Sequence, residues 1–184
     1  LTGSSYALTD TGTVSAALGG AGATLTKTGA GTATLSGTNT YTGLTDVQAG
    51  TLILRNGAAI DDAAAVRVSG GTLNVDDNET VGAVTLTGGT ISGDSALTSA
   101  TDIDARAGAI EAALQGAAGL DKTTAGTVTL SGTNTYTGAT TVNAGTLNLN
   151  SSLTSSSLVF SGAGTVNVAD GASLSKAVTT TGGT

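Results

Sequence analysis

The chain repeats itself at two scales, and that repetition constrains its fold more than any single residue does. Residues 25–54 read LTKTGAGTATLSGTNTYTGLTDVQAGTLIL and residues 120–149 read LDKTTAGTVTLSGTNTYTGATTVNAGTLNL; at this offset of 95, 23 of 30 positions are identical. A shorter period lies inside the long one. Gly12, Gly31, Gly50, Gly71, Gly89, Gly108, Gly126, Gly145, Gly164 and Gly183 follow one another at intervals of 18 to 21 residues, with a mean of 19. The long repeat is therefore five short units, and a period of this size signals a solenoid or an array.

The columns of the short unit alternate in polarity. The residue after each glycine is Thr, except at Ala109. The next is aliphatic: Val14, Ala33, Leu52, Leu73, Ile91, Ile110, Val128, Leu147 and Val166. The third is mostly polar and the fourth apolar or small, which is the period of a strand with one buried face. A second strand precedes many of the glycines, at 45–47, 66–68, 84–86 and 140–142. Gly and Thr are poor helix formers, so the Ala-rich stretches 57–66 and 103–119 read as coil variants rather than helices. Aromatic residues make up only 2% of the chain, so the core must come from Val, Leu, Ile and Ala. Disorder is the rival for so much Gly, Ser and Thr, but mean hydropathy is +0.23 and the alternation is sustained.

Strands at equal spacing fit either a meander of hairpins or a parallel β-helix. Hairpins ask for Asn-Gly or Asp-Gly turns, and only Asn56-Gly57 and Asp170-Gly171 qualify. Equal columns in every unit are what coil-on-coil stacking requires. The expectation is one all-β domain over residues 1–184: a right-handed parallel β-helix of about 9–10 coils, ~19 residues each, roughly 45 Å long at a 4.8 Å strand spacing. The small residues at the glycine column suit a corner where backbones pass close.

Composition removes several function classes. There is no His and no Cys, which excludes the Ser-His-Asp and Cys-His nucleophile systems, disulfides and nearly all zinc sites. A net charge of −7 without a basic cluster argues against nucleic acid and anionic membrane as partners. No apolar run reaches the roughly 18 residues of a membrane-spanning helix, and no basic segment followed by an apolar one opens the chain as a signal peptide would.

The two thirty-residue copies resemble the autotransporter-associated β-strand repeat found in passenger domains of bacterial autotransporters. The resemblance is close over 25–54 and 120–149 and loose between them. It implies a β-helical passenger segment of a longer protein, displayed at the surface of a Gram-negative bacterium after export across the outer membrane. It also implies a partner outside this chain, the protein's own C-terminal outer-membrane β-barrel translocator, and a repeat that aids secretion and passenger folding.

No residue is put forward as catalytic, cofactor-binding or metal-binding. Eight of the 13 acids lie between Asp61 and Asp104. Asp76 and Asp94 share a column with Arg55, so they read as a solvated acidic stripe, with a shared hard cation as the alternative. Lys27, Arg67, Arg106, Lys122 and Lys176 are scattered, and aromatics are too few for a sugar platform, so the chain reads as non-enzymatic. Tyr41 and Tyr136 read as rings packed over a bend, with Asn39 and Asn134 bonded to local backbone; the alternative is an adhesive contact. The Thr column reads as a solvent face, with an ordered contact surface as the alternative. Two functions follow: a surface spacer that supports its own folding and export, or an adhesin or self-association surface. The coils around 126–168 look richest in large apolar residues, and the Ala-rich coils at 89–118 look weakest.

Overall fold

A computed structural model describes residues 1–153, 157–174 and 176–181; Gly183, the last glycine of the period, lies outside them. No helix occurs among the described residues, and every strand pair is parallel. The chain winds past three faces in turn, as the alternation of short strands with corners demands. The first face is a ten-stranded sheet that runs from Ser5–Leu8 to Val178–Thr180. The second is a nine-stranded sheet from Gly12–Val14 to Thr165–Val168. The third is broken: Gly19–Gly20 pairs with Thr40–Tyr41, and Glu79–Val81, Ala96–Ser99 and Ala113–Gln115 form a three-stranded sheet. Partners lie between 17 residues apart (Ile103↔Leu120) and 21 apart (Thr45↔Val66). This is a parallel β-solenoid of about nine turns, with the mean period read from the glycines.

Inward residues stack on inward residues. On the second face Ala33, Leu52, Leu73, Ile91 and Ile110 follow one another in register and all are buried. The strands expected at 45–47, 66–68, 84–86 and 140–142 are present, all on the first face. The Ala-rich stretches are strands and corners, as expected. Corner glycines act as the period suggests. Gly50 and Gly145 have φ of 62° and 70°, and a Cβ on either would sit 2.3 Å from a carbonyl oxygen of the coil before it.

Two details differ from the sequence columns. Gly12 pairs with Ala33 rather than Gly31, and Gly108 pairs with Val128 rather than Gly126. Both are steps of two residues. A step of two keeps every side chain on its own side of the sheet, whereas a step of one would turn the core outward. At the second step Ile110 gains Leu130 as its inward neighbour in place of Val128.

The Ala-rich coils bury more than their alanines suggest. The coils at 89–118 bury Ile91, Leu97, Ile103, Ile110 and Leu114 besides Ala105 and Ala112, and they carry two strands of the third face. Ala109 and Gly93 are only half-buried. In the last coils Val168 and Val178 are 44% and 53% exposed. Alanine columns here are matched by larger residues on the third face, which the glycine period does not reveal. Hydrogen exchange is therefore expected to be slower at 89–118 than at 158–180. Leu147→Ala, which empties a fully buried site, should cost about 2–5 kcal/mol in urea unfolding. Thr146→Ala, its half-buried outward neighbour, should cost roughly 0.5 kcal/mol or less.

Candidate functional site

The distinctive chemistry of this solenoid lies in polar groups inside it, and the repeat copies supply most of them. In LTK and LDK, alternation puts the lysine on the same side as the leucine two residues before it. Lys27 and Lys122 are accordingly 0% exposed, in the column Leu8, Lys27, Val47, Val68, Leu86, Ala105, Lys122, Val142. A buried ammonium needs acceptors, and backbone supplies them. Lys27 Nζ donates to the carbonyls of Gly29 and of Ala49, the latter one coil on at 3.4 Å. Lys122 Nζ donates to the carbonyls of Thr124 and of Ala144, the latter at 3.1 Å. Burial lowers the pKa of Lys122, and Asp104 acts in the opposite direction.

The TNTYTG segment turns inward as well. Tyr41 and Tyr136 are buried, as the packing reading held. Each hydroxyl meets a buried threonine four residues on: Tyr41 Oη lies 2.7 Å from Thr45 Oγ1, and Tyr136 Oη 2.6 Å from Thr140 Oγ1. Burial raises the pKa of Tyr41, against the bond from Thr45. The asparagines do not make the local backbone bonds that the sequence suggested, and reach other coils instead. Asn39 Oδ1 accepts from Leu18 N one coil back at 2.8 Å, and its Nδ2 donates to Ala59 O one coil on at 2.6 Å. Asn134 Oδ1 accepts from Leu114 N at 3.0 Å. The bonds cross coils because the third face is short of strands, and side chains there take up the backbone groups.

Glu79 occupies the same face and does the same work. It is 1% exposed, and its carboxylate accepts from Ile60 N at 2.6 Å and Ala59 N at 3.3 Å. Burial pushes its pKa from 4.5 to about 7, against those two amide bonds and with Asp62 and Asp77 adding to the rise.

The rest of the acidic stripe is dispersed. Asp76 pairs with Arg55 at 2.6 Å, an adjacency the shared column predicted, while Asp77 accepts from Asn56 N. No group of three or more Asp or Glu able to hold a metal ion occurs among the described residues. On the outward side of the first face, Asp46 is gripped by Arg67 through two bonds of 3.0 and 2.6 Å, with Gln48 and Ser69 also donating. Arg67 above all holds the Asp46 carboxyl below the usual carboxylate range, against the effect of burial. A shallow cavity of about 230 Å³ beside residues 7–14 and Ala33 contains one titratable side chain, Asp10. Sequence reasoning passed over Lys27, Lys122, Thr45, Thr140 and Glu79. The signal for the first four was their recurrence at inward parity in both copies; Glu79 left no such mark.

What these residues make is a β-solenoid whose coils are tied together by buried polar side chains. The family model for the passenger-associated-transport-repeat matches residues 25–54 and 120–149. These are the two segments that carry the buried Lys, Asn, Tyr and Thr. The chain thus contains two passenger-associated transport repeats, consistent with an autotransporter passenger. No curated protein and no solved structure matches the chain significantly.

Two predictions follow from the interior. A buried acid raised when folded makes the native state hold a proton that the unfolded chain has released between pH 4.5 and about 7. Stability should then fall as pH rises through that window, by up to about 1.4 kcal/mol per unit. Urea midpoints of wild type against Glu79→Gln will read this: the slope should vanish in the variant. Asn39→Ala leaves a buried amide and a buried carbonyl unpaired and should cost about 2–4 kcal/mol, well above an exposed Thr38→Ala control.

Proposed function

We propose that this chain is a non-catalytic segment of an autotransporter passenger, a spacer at the bacterial surface whose repeats support its own folding and export. The observation that carries the reading is the coincidence of the two matched repeats with the coils that bind their neighbours through buried side chains. Each coil contacts mainly the coils before and after it, so folding can spread from one coil to the next. A chain without Cys or Pro and with only 10% charged residues suits passage through a narrow pore in unfolded form. Its partner in that process is the outer-membrane β-barrel translocator of the same protein, and its destination is the surface of a Gram-negative cell.

The test is deletion of 120–149 from the full-length protein. Surface display, measured by labelling of intact cells, should drop, and the passenger that does reach the surface should be cleaved faster by added protease. Unchanged display and unchanged protease resistance would overturn the export role and leave the spacer alone.

A further inference from the structure

The two buried lysines have a purpose that burial alone does not explain. In a strand that alternates Thr with aliphatic residues, a slip of two residues preserves the inward face and costs little. Such steps exist in this molecule: Gly12↔Ala33 and Gly108↔Val128 both lie one step of two away from the glycine columns. Each occurs on the N-terminal side of a repeat strand, Thr32–Leu35 or Thr127–Leu130. On the C-terminal side of the same strands the columns are in step, Thr32↔Thr51 and Thr127↔Thr146. That side is where the lysines reach across. Lys27 and Lys122 stand at the corner before the repeat strand, and each bonds one carbonyl on its own corner and one on the corner of the following coil.

We propose that Lys27 and Lys122 are register pins, which fix the repeat coil in step with the coil that follows it. The ammonium is bonded on both coils only when the two corners are aligned. A slip of two residues carries the far carbonyl about 6.6 Å along the strand, at ~3.3 Å per residue, beyond the reach of a hydrogen bond. The slip then leaves a buried cation with only the acceptor on its own corner, Gly29 or Thr124, a penalty that the aliphatic columns do not impose. Two copies 95 residues apart make the same pair of bonds, so the arrangement belongs to the repeat. The inference builds on the reading of the repeat as a folding module: in a solenoid that forms coil by coil, a register error in one coil passes to the next.

The chain has no cysteine, so engineered pairs can report register without background. Opposed residues on parallel strands lie about 4.8 Å apart, and residues offset by two about 8 Å apart; only the first separation can be bridged by a disulfide. Thr32→Cys with Thr51→Cys reads the in-step register, and Thr34→Cys with Thr51→Cys reads the slipped one. In purified protein refolded from urea and then oxidised, the lysine-containing chain should cross-link only the first pair. With Lys27→Met the slipped pair should also cross-link, to at least a fifth of the in-step yield, while far-ultraviolet circular dichroism stays that of a sheet. Lys122→Met should do the same for Thr129 against Thr127, each paired with Thr146. Exclusive in-step cross-linking in both methionine variants would overturn the proposal. Loss of the sheet signal in both variants would overturn it too, because lysine would then be needed for folding itself rather than for register. The assay is done without cells, so it can fail while the export test succeeds, and the reverse.

Discussion

Everything in this molecule depends on backbone hydrogen bonds that run from coil to coil. They make each residue the neighbour of its counterpart 17 to 21 positions away, and so convert a sequence period into columns. Once columns exist, the interior is decided by like stacking on like, and Val, Leu, Ile and Ala suffice for a core with almost no aromatic residues. The cost is that one aliphatic column resembles another. Hydrophobic burial selects which side of a strand faces in, but it does not select between registers two residues apart.

The buried polar groups meet that cost. Lys27, Asn39, Glu79, Lys122 and Asn134 are each bonded to backbone of an adjacent coil, and no buried side-chain N or O without a partner occurs among the described residues. Such groups contribute little net stability when satisfied and penalise misalignment heavily when not. Lys27 and Lys122 sit between the first and second faces, while Asn39, Glu79 and Asn134 sit on the third. The coils are thus tied at separate places around the circumference. Three of these residues take amides from the coil before them, and the lysines take carbonyls from the coil after.

The architecture was legible because it is written as a period. The glycine intervals, the alternation after them and the shortage of hairpin turns led to stacked parallel strands on two faces, where they are found. The third face was not legible. Its strands are as short as Gly19–Gly20 and Thr40–Tyr41, and its inward positions mix Asn39, Glu79 and Asn134 with Val81, Leu97 and Leu114, so no regular apolar pattern announced it. Lys27 and Lys122 stood in the sequence only as scattered cations, for a related reason. A charged residue in a strand is ordinarily exposed, so only the parity that sets each lysine on the side of its leucine marks it as inward. Asn39 was taken for a turn residue bonding nearby; on a face without a continuous sheet, the nearest free backbone groups belong to other coils.

The spacing of the repeats has a physical logic of its own. Between Lys27 and Lys122 the same inward column holds Val47, Val68, Leu86 and Ala105, so four apolar coils separate the two polar ones. A cation in every coil would stack charges about 4.8 Å apart along the axis, where like charges in a dry interior repel strongly. An interior with none would leave register to columns that tolerate a step of two. One lysine-bearing coil in five avoids the repulsion. It also limits how far an error can travel before a coil that rejects it, and Glu79, on another face midway between the copies, ties the intervening coils to one another.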